Sequence, residues 1–197
     1  METDTSSRSS RFAAIETLVR LQKTRLPISR IFECIVDECA LSRKDRHLAM
    51  KICYGVLRQR DYLDYLLNRL CTRPTTKLKP FVYQALSVGF YQLFFLDRIP
   101  PSAVVNETVK AVKVARLPKP IQGFVNGVLR AGIRSKEELA GPWDVINDTP
   151  FLNHPGWLCR RWQRQYGTTK MQRICSWNNR EAVTCLRVTR FRARPAA

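Results

Sequence analysis

Apolar residues recur at helical spacing along most of this chain, and this periodicity constrains the fold more than any other feature. Between residues 10 and 134, seven segments place apolar side chains every three or four residues, without the convincing alternation of a strand. Prolines and short polar stretches separate the segments, so the connections are short. The pattern predicts an all-α bundle. The segment after Pro80 is apolar around most of its circumference, and we expect it in the middle.

Several helix starts can be predicted from single residues. Ser42 fits the N-cap position of a helix with Asp45 three residues later, a weaker form of the capping box. Pro27 fits the first turn of the preceding helix, because the first turn does not need the N–H that proline lacks. Ser102 is expected to begin a helix after Ile99-Pro-Pro101, and Gly89 is expected to allow two helices to cross closely.

The two ends of the chain differ from this helical region. Residues 1–9 are expected to be a disordered lead, and residues 135–152 a linker. From residue 153 onward the pattern predicts short helices, with Gly167 ending the first. Val183–Phe191 then alternates like a strand and is rich in β-branched residues. Because a lone strand cannot form a sheet, we expect the chain to be an excised fragment or a truncated product.

The charge of the chain narrows its possible partners. Lysine and arginine number 34 against 16 acidic residues, a net charge of +18. Such an excess favours polyanions, which leaves nucleic acid or an anionic membrane surface. No apolar run approaches the roughly 20 residues that a membrane helix requires, so we expect no helix that spans a membrane. Of the two partner classes we predict nucleic acid and no membrane. The polar N-terminus has no apolar segment of a secretory signal, which predicts a cytoplasmic protein.

The motifs of common enzyme classes are missing from this sequence. It has no dinucleotide-binding glycine pattern, P-loop, serine nucleophile elbow or HExxH zinc motif. Its seven cysteines form no CxxC pair, so a zinc site is not expected. Structural roles are favoured over catalysis for His47, His154 and Cys185. We therefore predict no catalytic, cofactor-binding or metal-binding residue.

Basic residues cluster at two predicted helix starts. Arg8 and Arg11 begin the first helix, where they oppose the positive end of its macrodipole. Arg43 and Lys44 lie in the first turn of the helix that Ser42 begins. Such residues could form a solvated face or bind phosphates, and position alone leaves both interpretations open. No aromatic RNA-stacking motif is present, so backbone and shape recognition are expected to dominate.

Five motifs in a fixed order resemble a known family. They are Tyr54-Gly-Val-Leu-Arg58, Phe90-Tyr-Gln-Leu93, Ile99-Pro-Pro-Ser-Ala-Val-Val-Asn-Glu107, Gly123-Phe-Val-Asn-Gly-Val-Leu-Arg130 and His154-Pro-Gly-Trp-Leu158. The chain resembles the N-terminal part of bacterial ribosomal RNA small-subunit methyltransferase B, a family that makes 5-methylcytosine with S-adenosylmethionine. The resemblance implies a NusB-like bundle over residues 10–134 and an incomplete methyltransferase subdomain over residues 153–197.

This resemblance also implies a function. In the family, the cofactor fold and both catalytic cysteines lie downstream of the matched region, and Cys185 lacks the family's Pro-Cys context. The chain alone is thus not expected to be an enzyme. Its implied partners are ribosomal RNA, bound through Arg8 and Arg11 and by extension Arg43 and Lys44, and a methyltransferase domain in the same protein. The alternatives are a module of the antitermination type, which binds a protein partner together with RNA, a structural brace for the catalytic domain, and an active methyltransferase. The last would bind S-adenosylmethionine, which we do not expect.

Overall fold

Two units make up the chain in the computed structural model, Met1–His154 and Pro155–Ala197. The structure describes residues 8–72, 74–139, 152–183 and 185–186. The first unit contains most of the helices and almost all of the buried apolar residues. Most of the predicted disordered lead and most of the predicted linker fall outside the described residues.

Eight α-helices form the described part of the first unit. A short 3-10 turn, Thr75–Lys77, precedes the fifth of them. The helices are α1 Ser10–Lys23, α2 Ile28–Glu38, α3 Arg43–Arg58, α4 Arg60–Leu70, α5 Pro80–Phe95, α6 Pro101–Val114, α7 Lys119–Arg134 and α8 Lys136–Leu139. The predicted all-α bundle is confirmed for the described residues, and α8 is a single added turn at the start of the predicted linker.

Local residues start these helices much as the sequence indicates. The Ser42 hydroxyl accepts a hydrogen bond from the Asp45 N–H at 3.2 Å, which confirms Ser42 as the N-cap of α3. Ser9 caps α1 in the same way, through the N–H of Phe12 at 3.4 Å. Prolines begin other helices: Pro27 is the N-cap of α2, and α6 begins at Pro101, one residue earlier than predicted.

Helix α5 lies in the middle of the bundle, as its sequence predicts. Eleven of its residues are buried, and it contacts α1, α3, α4, α6 and α7. Gly89 permits the crossing with α7, because a Cβ there would lie 2.4 Å from Leu129 Cδ2. The core around it includes fully buried large side chains such as Phe32, Tyr62 and Phe90.

Asn153 fixes the end of the first unit to the junction between α3 and α4. Its Oδ1 accepts a hydrogen bond from the Tyr62 N–H at 3.1 Å, and its Nδ2 donates to Gln59 Oε1 at 2.7 Å. Its φ of 47° is left-handed, a conformation that asparagine tolerates better than most residues. This contact joins residues more than ninety positions apart.

The second unit is a pair of helices in its described part. Helix α9, Gly156–Tyr166, ends at Gly167 as predicted, and α10, Thr168–Asn178, begins directly after it. Gly167 has a φ of 80°, which glycine adopts without steric cost. Of the strand predicted at Val183–Phe191, the described residues Val183, Cys185 and Leu186 are not in a strand, and the others lie outside the described residues. A strand needs a hydrogen-bonding partner, and the described residues supply none.

Candidate nucleic-acid interface

The start of α1 presents two of the four predicted RNA-binding residues. Arg8 precedes the Ser9 cap, and Arg11 lies in the first helical turn, which contains no acidic residue. The unpaired N–H groups at a helix start carry partial positive charge and attract anions. Two arginines at this position add to that field, so the start of α1 favours a negatively charged ligand.

Arg8 lies half-buried against the end of α2. Its Nη1 donates a hydrogen bond to the backbone carbonyl of Glu38 at 3.4 Å. Its guanidinium carbon lies 5.7 Å from the centre of the Phe12 ring, within the range of a cation–π contact. These contacts, to a carbonyl and a ring, orient the side chain without neutralising its charge.

The side-chain carboxylate of Glu38 is bound by another arginine. Arg20 donates two hydrogen bonds to it, at 2.8 and 2.7 Å, the fork geometry that suits a carboxylate. These bonds lower the pKa of Glu38, and the charge of Arg8 contributes less. Arg20 thus supplies the side-chain hydrogen bonds of the Glu38 carboxylate, whereas Arg8 binds the backbone carbonyl of that residue.

Arg11 is more deeply placed than a surface arginine. Its Nε donates to Gln92 Oε1 in α5 at 2.9 Å, and its Nη1 donates to Ser10 Oγ at 3.1 Å. Burial lowers the pKa of Arg11, and the carboxylates of Glu107 and Asp45 act in the opposite direction. Arg11 therefore holds α1 against the core as well as adding positive charge to the helix start.

The start of α3 carries the other two predicted residues, Arg43 and Lys44, and both are exposed. Arg43 borders an open hollow of about 580 Å³ between α2 and α3. Its lining residues are Val36, Asp37, Ala40, Leu41, Arg43, Arg46 and His47. Arg46 forms an ion pair with Glu33 of α2, so it is not equivalent to its exposed neighbours.

The fold brings the two helix starts into one region. Helix α1 packs against both α2 and α3, and Asp45 of α3 is close enough to affect the pKa of Arg11. Arg8 reaches the last residue of α2, shortly before α3 begins. Arg8, Arg43 and Lys44 therefore border the turn between α2 and α3. Arg11 is linked to this region through Asp45, and its side chain is bound to buried Gln92.

Two features of this region were not predicted from the sequence. One is the buried side-chain amide of Gln92. Its Oε1 accepts a hydrogen bond from Arg11, and its Nε2 donates to the Val88 carbonyl at 2.9 Å. No local pattern could reveal this contact, because its residues are 81 positions apart. The other is the outward face of α3, where Tyr54 and Leu57 are exposed. Tyr54 lies three residues after Lys51 and four before Arg58, and this helical spacing could have indicated a shared face.

The described residues do not contain the groupings that a metal site or a membrane span would need. Within residues 8–72, 74–139, 152–183 and 185–186, no three histidine, cysteine or acidic side chains are grouped as metal ligands would be. In the same residues, no helix combines the length and apolar character needed to cross a bilayer. The arrangement at the helix starts is suited to binding an anion through charge and hydrogen bonds.

Comparison with protein families divides the chain into two parts. The profile of the NusB family matches residues 8–134. A second profile, described as the ferredoxin-like domain of RsmF/B-like methyltransferases, matches residues 154–197. The first match covers the described helices α1 to α7, and the second covers α9 and α10.

A ribosomal RNA methyltransferase is similar in sequence to much of this chain. Ribosomal RNA small subunit methyltransferase B of Salmonella paratyphi B is 41% identical over 147 residues, which are 75% of this chain and 33% of that protein. The chain thus spans about a third of the length of this relative.

Two solved structures share the fold. NusB of T. maritima has a TM-score of 0.59 at 23% identity, with 68% of this chain and 96% of that chain covered. A complex of the antitermination factors NusB and NusE with double-stranded RNA has a TM-score of 0.58 at 24% identity, with 64% and 94% covered.

Proposed function

Because this chain belongs to the NusB family, we propose that its helical unit binds ribosomal RNA through the starts of α1 and α3. The observation that carries the proposal is the grouping of Arg8, Arg43 and Lys44 around the α2–α3 turn, where Arg20 already satisfies the carboxylate of Glu38. A net charge of +18 gives the whole chain an attraction for polyanions. The structure of NusB and NusE with RNA gives the proposal further support.

We further propose that this unit delivers ribosomal RNA to a methyltransferase region. The support is the 41% identity to ribosomal RNA small subunit methyltransferase B and the RsmF/B-like match at residues 154–197. The reaction proposed for the longer protein is methylation of cytosine C5 in cytoplasmic ribosomal RNA by S-adenosylmethionine. This sequence has no glycine-rich loop to cradle that cofactor, so its residues do not fit the cofactor and no catalytic step is assigned to them.

Binding would depend mainly on phosphate contacts. Each lysine or arginine that neutralises a phosphate releases condensed counterions, and affinity therefore falls as salt concentration rises. Phosphate contacts do not distinguish one base from another, so the shape and path of the RNA backbone would set the position of the domain. The proposed phosphate contacts are Arg8, Arg43 and Lys44. Arg11 contributes by holding the start of α1 against the core through Gln92.

The test measures the affinity of the chain for a ribosomal RNA fragment over a series of salt concentrations. The triple variant Arg8→Ala, Arg43→Ala and Lys44→Ala should reduce the slope of log K against log salt by about 1 for each phosphate that the variant no longer neutralises. A control with Lys110→Ala, Lys119→Ala and Arg134→Ala removes the same charge from exposed positions on α6 and α7. The proposal would be contradicted if the affinity for RNA did not change with salt concentration, or if both variants lost the same amount of affinity.

Arg11 should be tested apart from Arg8. Arg11→Ala removes the hydrogen bond to buried Gln92 and leaves its Oε1 without that donor, which costs about 1–3 kcal/mol of stability. A double substitution of Arg8 and Arg11 would therefore combine a loss of binding with a loss of folding. Arg8→Ala alone, with an unchanged melting temperature, isolates the binding effect.

A protein-interaction module is the alternative function. The structure that contains NusB and NusE together favours it, because there a protein of this fold assembles with a protein as well as with RNA. Purified NusE would co-elute with the chain in the absence of RNA if this alternative holds. Binding of RNA without any binding of NusE would favour the RNA-delivery function.

A further inference from the structure

The motif Tyr54-Gly-Val-Leu-Arg58 has an inward half that packing explains. Gly55 faces α5, and a Cβ at this position would lie 1.9 Å from Cζ of Tyr91. Tyr91 is itself buried and stacks on Phe95 at a centroid distance of 5.3 Å. Val56 is also buried. The approach of α5 to α3 therefore requires glycine at position 55, and Val56 contributes to the core.

The outward half of the motif has no such explanation in packing. Tyr54 is 40% exposed and Leu57 is 38% exposed, while Arg58 is half-buried. A tyrosine ring on a helix surface offers a flat apolar face and a hydroxyl to whatever binds there. This half of the motif lies where a ligand could reach it.

Basic residues share the same face of α3. Arg43, His47 and Lys51 are exposed, and steps of four residues separate them. With 3.6 residues per turn, positions 43, 47, 51, 54 and 58 project to one side of the helix over a length of about 22 Å. The face therefore carries three cationic side chains, a histidine and one aromatic ring, and it begins at the proposed RNA-binding residues.

The charges of α3 favour a polyanion over other occupants. Asp45 is the only acidic residue in the helix, and its Oδ2 accepts a hydrogen bond from the Ser42 hydroxyl at 2.7 Å within the N-cap. A protein surface would need a matching row of carboxylates to bind this face. The backbone of RNA supplies negative charge at regular spacing, and its unpaired bases supply rings that stack on an aromatic side chain.

We propose that the outward face of α3, from Arg43 through His47, Lys51 and Tyr54 to Arg58, binds single-stranded RNA, with Tyr54 stacking on an unpaired base. This inference rests on the proposed function and extends it from the helix starts along α3. The proposed ligand is therefore an RNA in which a single strand extends along α3 from a duplex or loop bound beside the α2–α3 turn. The sequence motif that places Gly55 against α5 thereby also fixes the orientation of Tyr54.

The experiment uses the full chain and a single-stranded RNA that carries 2-aminopurine, whose fluorescence falls when it stacks. Tyr54→Ala should weaken binding about tenfold and abolish the fluorescence change, because the ring that stacks on the base is removed. Tyr54→Phe keeps the ring and should restore both within about twofold. Tyr166→Ala is the matched control, since Tyr166 is a similarly exposed tyrosine on α9.

The outcomes separate this inference from the proposed function. If the triple variant of Arg8, Arg43 and Lys44 loses affinity while Tyr54→Ala does not, stacking on Tyr54 is excluded, the extension along α3 fails, and the site at the helix starts remains. If Tyr54→Ala weakens duplex and single-stranded RNA equally, stacking is excluded. If it preserves RNA binding but prevents binding of purified NusE, the face belongs to a protein partner. If the unaltered chain binds no RNA, both proposals fail together.

Discussion

The two units of this chain differ in how completely their described residues bury apolar surface. In the first unit, large side chains such as Phe32, Tyr62 and Phe90 are no more than 2% exposed. In the second, Trp157 is 60% exposed and Trp177 is 71% exposed. Helices α9 and α10 bury Cys159, Met171 and Cys175 between them. The first unit thus has a core that can hold a binding surface rigidly, whereas the described helix pair has no core of comparable size.

The difference has an energetic consequence. Isolated helices of about 11 residues are marginal in water, and a pair gains little from a small contact. Helices α9 and α10 have 11 residues each. We therefore expect the helix pair to open more readily than the bundle, and the RNA-binding residues proposed on α1 and α3 to depend on the bundle alone.

Leu66→Ala should have the largest effect, because Leu66 of α4 is completely buried in the core of the first unit. Removing a leucine side chain from such a site costs about 2–5 kcal/mol, through reduced apolar burial and the cavity left behind. Urea unfolding followed by circular dichroism measures the change in the free energy of unfolding. A change below about 1 kcal/mol would mean that the bundle is packed as loosely as the helix pair.

Gly55→Ala should have a smaller but still large effect on the same unit. The added Cβ would overlap the buried ring of Tyr91, and overpacking of this kind costs about 1–3 kcal/mol. Gly127→Ala is the matched control in α7, where a Cβ meets no atom within 4 Å. Alanine favours a helix over glycine by up to about 1 kcal/mol, so this variant should be stabilised. Destabilisation of both variants by the same amount would contradict the close contact between α3 and α5.

The sequence predicts the features that depend on neighbouring residues. Ser42, with Asp45 three positions later, is sufficient to place the start of α3, and the apolar circumference of the segment after Pro80 is sufficient to place α5 in the core. The start of α6 at Pro101 lies one residue from its prediction. Capping and helical periodicity act over a few residues, and these features can therefore be inferred without the fold.

Features that depend on distant residues could not be predicted. The sequence gives Arg11 the same expected role as Arg8, but the fold places Gln92 beside Arg11 and so makes it half-buried. Asn153, on the far side of the predicted linker, binds Gln59 and the backbone of Tyr62. The accessibility of the predicted residues is therefore set by contacts across the bundle, which their sequence positions do not reveal.

Met171→Ala should have the smallest effect on the bundle. Met171 is buried within the helix pair, where its sulfur lies 3.9 Å from Cys175 Sγ. Because α9 and α10 form a unit separate from the bundle, the free energy of unfolding of the first unit should change by less than about 0.5 kcal/mol. Hydrogen exchange should become faster in α9 and α10 and remain unchanged in α5. Faster exchange in α5 would show that the two units unfold together, and the separation on which the comparison rests would then be wrong.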